Sequence, residues 1–146
     1  MLAPDQVEGD DTSRFSVLAW SNTLQAQRLL PWTERRELFA RALKCLPYSY
    51  KIWYSYLEEY SEYCSGRSLQ SKEWAGMNAV FEEALTKLPK MPRLWLMYTG
   101  VLAKQHLVQK TRKVYNWSFR NLPLTQHEKI WSKFTAWAMS LENTST

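Results

Sequence analysis

Cysteine, glycine and long apolar segments are scarce in this sequence, and each scarcity argues against a class of protein. The 146 residues include two cysteines, Cys45 and Cys64, which lack the spacing of a metal-binding pair and are expected to be ordinary thiols. Four glycines and six prolines leave little material for the tight turns of a β protein. No apolar run approaches the roughly 20 residues of a membrane-spanning helix. Residues 1–12 are acidic and polar, unlike a signal peptide, so we expect an intracellular protein.

Sequence motifs of enzyme active sites are also missing. The chain has no glycine-rich phosphate loop, no zinc-protease motif and no serine-hydrolase motif. The two histidines, His106 and His127, are far apart in the sequence and lack further candidate ligands. We therefore expect no catalytic residue, no metal site and no cofactor, and predict that the protein is not an enzyme.

Aromatic residues are abundant, and their spacing predicts an all-α protein. Hydrophobic residues make up 45% of the chain and aromatic residues 14%, with eight tryptophans. Apolar positions recur at helical intervals, for example at Leu38, Phe39, Ala42 and Leu43. Seven helices are predicted, the first from caps at residues 11–13 to about residue 29 and the second over about 34–46, with Thr33 as its cap. The third and fourth helices are predicted at about 49–64 and 72–88. The fifth begins at residue 92 and the sixth at about residue 107. The seventh follows a capping box of Thr125 and Glu128 and ends at about residue 141.

One sequence pattern recurs along the chain and marks a repeat. A Leu-Pro pair ends one helix, and a tryptophan with an aromatic residue three positions later begins the next. A second pattern, an aromatic residue three positions before a small one, recurs in the helix that precedes each proline. The repeat positions are Trp20, Trp53, Tyr56, Trp95, Tyr98, Trp131 and Phe134 in the first helices, Phe39, Phe81 and Tyr115 in the second helices, and Pro47, Pro89 and Pro123 between them.

The repeat length indicates a stack of helical hairpins. Successive tryptophans of the pattern are 33, 42 and 36 residues apart, and the extra residues of the second repeat fall in a polar loop over 65–71. A period near 34 with two helices is typical of an α-solenoid, in which neighbouring hairpins bury each other's faces. We predict a right-handed α-solenoid of antiparallel hairpins, with about three and a half repeats over residues 13–142. Residues 1–12 are expected to be mobile, and 143–146 to form a polar tail.

Basic residues cluster around the predicted connections between hairpins. The formal net charge is +5, which permits an acidic partner or nucleic acid without establishing either. The alternative is that these side chains provide solubility and favourable charge at helix C-termini. The candidates for partner contact are Arg35, Arg36, Lys87, Lys90, Arg93, Arg112 and Lys113.

The recurring pattern resembles HAT (half-a-TPR) repeats. Ordinary TPR motifs need small residues four positions after the tryptophan, and this chain has Leu24, Leu57, Thr99 and Thr135 there. Three longer strings, at 41–54, 90–96 and 122–131, are similar to the N-terminal HAT repeats of the Syf1 splicing factors, also called XPA-binding protein two. The resemblance extends from about residue 15 to residue 141.

The resemblance implies a nuclear scaffold in the spliceosome. Such a protein would belong to the Prp-nineteen-associated complex and contact other spliceosomal proteins, including other HAT-repeat proteins, with a further link to transcription-coupled repair. The chain departs from the family in being much shorter and in ending after the first helix of a fourth repeat, so a fragment, an isoform or a reduced homologue is expected. Two other functions remain open, RNA binding along a basic edge and a TPR-like adaptor for peptides.

Overall fold

All regular structure in the described part of the chain is helical. The computed structural model describes residues 2–7 and 11–144. These residues divide into two compact units, Met1–Arg67 and Ser68–Thr146. Helices of ten or more residues number seven among the described residues, and a four-residue helix precedes them. This agrees with the predicted all-α class and number of helices.

The first unit contains a short 3₁₀ turn and four α-helices. The 3₁₀ turn is Pro4–Gln6, and the helices are α1 (Asp11–Arg14), α2 (Val17–Ala26), α3 (Trp32–Cys45) and α4 (Tyr50–Ser65). Helix α3 packs against α4, and α2 contacts both. Helix α4 starts near Ser49 as predicted, and the Ser49 hydroxyl caps it by accepting a hydrogen bond from the Ile52 amide at 3.4 Å.

The second unit contains the remaining four α-helices. They are α5 (Lys72–Lys87), α6 (Pro92–Lys104), α7 (Val108–Asn121) and α8 (His127–Thr144), with a 3₁₀ turn at Leu124–Gln126 before α8. Helix α6 packs on α5 and α7, and α8 packs on α6 and α7. As predicted, Pro92 is the first residue of α6, where its missing N–H group would have no intrahelical partner. Helix α6 ends at Lys104, and His106, two residues later, has a positive φ of 60°.

The first predicted helix differs from the observed structure. It is divided at residues 15–16, because the Ser16 hydroxyl caps a new helix by accepting a hydrogen bond from the Ala19 amide at 3.2 Å. The helix then ends at Ala26 rather than near residue 29. The apolar side chains of Phe15 and Leu18 are 56% and 68% exposed.

Part of the segment predicted to be mobile packs against the first unit. Ala3 is 2% exposed, and Pro4 is buried. The Asp5 carboxylate forms a two-pronged ion pair with Arg41 of α3, and one of its hydrogen bonds, from Nε of Arg41, is 2.9 Å long. The packed region therefore includes residues 3–6, outside the predicted boundary. Residues 1 and 8–10 of that segment lie outside the described residues.

Two other predicted helix starts are wrong, and the last helix extends beyond the predicted C-terminal boundary of the repeats. Helix α3 begins at Trp32 with Pro31 as its cap, so Thr33 lies in the first turn. Thr125 belongs to the 3₁₀ turn before α8 and cannot be the cap of that helix. Helix α8 continues to Thr144 and so includes the first residues of the predicted tail, whose last two positions lie outside the described residues.

Candidate interaction surfaces

Three ring pairs join the second helix of one hairpin to the first helix of the next. The rings of Phe39 and Tyr56 stack in the first unit, with centroids 5.1 Å apart and planes 8° apart. Phe81 and Tyr98 stack in the same way in the second unit, at 5.0 Å and 10°. Tyr115 and Phe134 meet edge to face at 5.2 Å. The repeat positions thus place the same contact at successive junctions, which is the geometry that aromatic pairs prefer.

The tryptophans of the first three repeats each make the same type of hydrogen bond, from the indole N–H group to a backbone carbonyl oxygen. The indole N–H of Trp53 donates to the carbonyl oxygen of Pro47 at 2.8 Å, and that of Trp95 donates to Pro89 at 2.9 Å. Trp20 makes the same bond to a carbonyl six residues before it, at 2.8 Å. All three side chains are at most 4% exposed. In each case the backbone carbonyl group therefore orients the buried indole ring.

Trp131, the tryptophan of the fourth copy, lies on the surface instead. It is 57% exposed, and the connection before it contains the 3₁₀ turn, so that eight residues rather than six separate Pro123 from Trp131. Leu124 and Met139 nearby in the sequence are 83% and 64% exposed. The side chains of Phe119, His127, Glu128 and Trp131 border an open groove of about 420 Å³. Helix α8 thus presents apolar side chains to solvent.

The structure separates the seven basic candidates into two groups. Arg35 is 6% exposed and forms a two-pronged ion pair with Glu59, with hydrogen bonds of 2.9 and 2.6 Å, so its prediction as a partner contact is wrong. Its spacing from Leu38, Phe39 and Ala42 already places it on the buried face of α3. Arg36 is exposed and lies over the Tyr60 ring at 5.3 Å. The remaining five candidates are exposed and belong to the second unit: Lys87, Lys90, Arg93, Arg112 and Lys113.

A cleft between α5, α6 and α7 lies among these exposed cations. Its volume is about 510 Å³, within the roughly 300–1,000 Å³ typical of ligand sites. Three lysines contact its lining. Lys90 Nζ donates to the Asn121 carbonyl at 2.9 Å, Lys113 Nζ lies 5.1 Å from the ring centroid of Trp117, and Lys110 Nζ lies 3.6 Å from a Glu82 oxygen. The lining residues are Glu82, Leu85, Thr86, Pro89, Trp95, Tyr98, Trp117 and Asn121.

A buried hydroxyl group lines the same cleft. Tyr98 is 0% exposed, and the carboxylate of Glu82 lies beside its hydroxyl group. Burial raises the pKa of this phenol, and the nearby Glu82 carboxylate raises it further. The hydroxyl therefore remains protonated at neutral pH and can act as a donor. The sequence did not reveal this cleft, because Trp117 is not a repeat position. The spacing of four residues between Lys113 and Trp117, which places both on one face of a helix, was the signal that could have indicated it.

The described residues contain neither a cluster of metal ligands nor a membrane-spanning helix. Within 2–7 and 11–144, no three or more His, Cys, Asp or Glu side chains lie together as a metal site would need. No helix in this part of the chain combines the length and hydropathy needed to cross a bilayer. Cys45 is half-buried and Cys64 is buried.

Comparison with known proteins identifies the repeats. A family model described as the pre-mRNA-splicing factor Syf1/CNRKL1 N-terminal HAT repeat matches residues 10–146. The chain belongs to this family. The match covers every α-helix of the two units. By the recurring sequence pattern, α2 and α3 correspond to the first HAT repeat, α4 and α5 to the second, and α6 and α7 to the third. By the same pattern, α8 corresponds to the first helix of a fourth HAT repeat.

Curated relatives carry the same HAT repeats in much longer chains. The chain is 35% identical to pre-mRNA-splicing factor SYF1 of Dictyostelium discoideum over 128 residues, 86% of this chain and 15% of the relative. It is 37% identical to human SYF1 over 119 residues, 82% of this chain and 14% of the relative. It is 42% identical to SYF1 of Yarrowia lipolytica over 123 residues, 82% of this chain and 17% of the relative. The chain therefore spans less than a fifth of these relatives.

Proposed function

We propose that the protein is a non-enzymatic scaffold in pre-mRNA splicing. It would act in the nucleus, within a spliceosomal assembly such as the Prp-nineteen-associated complex, and hold other spliceosomal proteins, including HAT-repeat proteins. A role in transcription-coupled repair is a secondary part of the proposal. Membership of a family whose curated relatives are named as splicing factors supports this function.

The exposed face of α8 is the observation that carries the scaffold proposal furthest. In the third HAT repeat, α7 packs along α6, where Trp95 and Tyr98 are 4% and 0% exposed. The corresponding first helix of the fourth repeat is α8, whose Trp131 is 57% exposed. By analogy with α6 and α7, we propose that this face takes an amphipathic helix with the pattern of α3, α5 and α7, as another HAT-repeat protein could supply. Large exposed apolar patches often mark such contacts.

Affinity capture from nuclear extract tests this function. The full chain, immobilised and compared with the variant Trp131→Ser, is expected to enrich splicing proteins, and the variant is expected to capture several-fold less of at least one of them. The substitution affects an exposed residue and should leave the fold intact, which circular dichroism would verify. As a matched control, Tyr48→Ser removes another exposed aromatic side chain, 67% exposed, far from α8 in the sequence. Absence of splicing proteins from the wild-type capture would contradict the proposed function, and equal capture by Trp131→Ser would contradict the role of α8.

A further inference from the structure

The positive charge of the chain is concentrated in one segment. The second unit contains eleven Lys and Arg against five Glu, a net charge of +6, while the first unit has a net charge of −1. Residues 84–127 carry eight Lys and Arg and no Asp or Glu. This segment contains α6, α7 and the C-terminal end of α5. Placing so many like charges together creates self-repulsion in the folded unit, which an anionic partner would relieve.

The cleft between α5, α6 and α7 combines these charges with an aromatic surface. The ammonium groups of three lysines lie against residues that line it: Lys90, Lys110 and Lys113. The indole of Trp117 is half-buried in its wall. Lysine side chains at a rim suit phosphate groups, and an indole face suits a stacked base.

We propose that this cleft binds single-stranded RNA, with one base inserted against Trp117 and the flanking phosphates held by Lys90, Lys110 and Lys113. The side-chain oxygen of Asn121 can meet the polar edge of the base, since the Asn121 NH₂ group already donates to the Trp117 carbonyl at 2.8 Å. A base must be unstacked from its neighbours to enter, which selects single strands over duplexes. An acidic peptide would match the charge but would leave the aromatic wall and the polar groups of the cleft without a matching ligand.

Fluorescence anisotropy with a labelled twelve-nucleotide oligouridine tests the site in the full chain. With about three phosphates contacted, log affinity is expected to fall with log salt at a slope near −2, or roughly twentyfold between 50 and 200 mM salt. Lys90→Gln with Lys113→Gln should make this slope shallower by about 1.4. The matched control is Lys44→Gln with Lys51→Gln, which removes two exposed lysines of the first unit and should leave the slope nearly unchanged.

Two further variants separate base stacking from charge. Trp117→Ala should weaken binding about 5- to 100-fold with the slope unchanged, and Trp117→Phe should retain most of the affinity because it keeps an aromatic face. Glu82→Gln removes the carboxylate from the cleft lining and should tighten binding several-fold. Circular dichroism of each variant verifies that the helices persist.

Three results would overturn the proposal. The first is equal weakening by the cleft and control lysine pairs, which would indicate general charge attraction. The second is equal affinity for single-stranded RNA and for duplex RNA of the same length. The third is complete displacement of the RNA by polyglutamate together with unchanged affinity in Trp117→Ala, a combination that would indicate an acidic peptide site. Because purified protein and RNA suffice, this measurement is independent of the proposed role in splicing, and either can fail without the other.

Discussion

Trp95→Ala is expected to lower the free energy of unfolding by about 3–5 kcal/mol, the largest loss of any single substitution considered for this chain. The Trp95 side chain is 4% exposed, and its indole N–H is satisfied by the Pro89 carbonyl at 2.9 Å. Truncation removes the buried ring and leaves a cavity between α5 and its neighbours in the second unit. It also leaves the Pro89 carbonyl without its donor. Urea denaturation followed by circular dichroism measures the loss.

Trp131→Ala provides the matched comparison, because Trp131 occupies the same position of the repeat. At 57% exposure, its removal should change the free energy of unfolding by about 0.5 kcal/mol or less. Similar losses at the two positions would contradict the conclusion that the fourth tryptophan lies outside the core. A loss below about 1 kcal/mol at Trp95 would contradict the packing of the third repeat.

Glu59→Ala is expected to destabilise the chain by about 2 kcal/mol. It removes the carboxylate that accepts two hydrogen bonds from Arg35, and leaves that guanidinium, whose side chain is 7% exposed, with the Leu24 carbonyl at 2.6 Å. Breaking a fully buried ion pair costs roughly 3–5 kcal/mol. The loss here should be smaller, because the Glu59 side chain is 36% exposed and part of the interaction is screened by solvent. Thermal and urea denaturation near pH 7 measure it.

The neighbouring Glu58 supplies a control for this prediction. Glu58→Ala makes the same chemical change one residue earlier, on an exposed position of α4, and should alter stability by about 0.5 kcal/mol or less. Replacing Arg35 and Glu59 together by leucine should restore much of the stability lost in Glu59→Ala, because no uncompensated charge then remains buried. A double variant as unstable as the single one would show that the pair does not act as a unit.

Most helices of this protein could be predicted from the sequence because their signals are local. Ser49 caps α4 with its own side chain, and Pro92 fixes the first turn of α6. The recurring apolar spacing places Phe39, Phe81 and Tyr115 on buried faces, where they are at most 4% exposed. These positions depend only on neighbours within about four residues along the helix.

The features that the sequence did not reveal depend on contacts between distant residues or on competing local signals. Arg35 lies on the buried face by its spacing, but its partner Glu59 is 24 residues further along the chain. The pairing of Asp5 with Arg41 crosses 36 residues. At the start of α2, Ser16 competes with Thr12 and Ser13 for the role of cap, and only the structure shows which one is used. The cleft needs residues from three helices, so no single segment identifies it.

The most direct test of repeat stacking is a double-mutant cycle on the Phe81–Tyr98 ring pair, measured by urea denaturation with Phe81→Leu, Tyr98→Leu and both together. Stacked rings 5.0 Å apart predict a coupling of about 0.5–1.5 kcal/mol. The control cycle pairs Phe81 with Phe134, which packs on Tyr115 of a different helix, and should give a coupling below about 0.5 kcal/mol. Equal couplings in the two cycles would contradict the account, because successive HAT repeats would then not be joined by this ring contact.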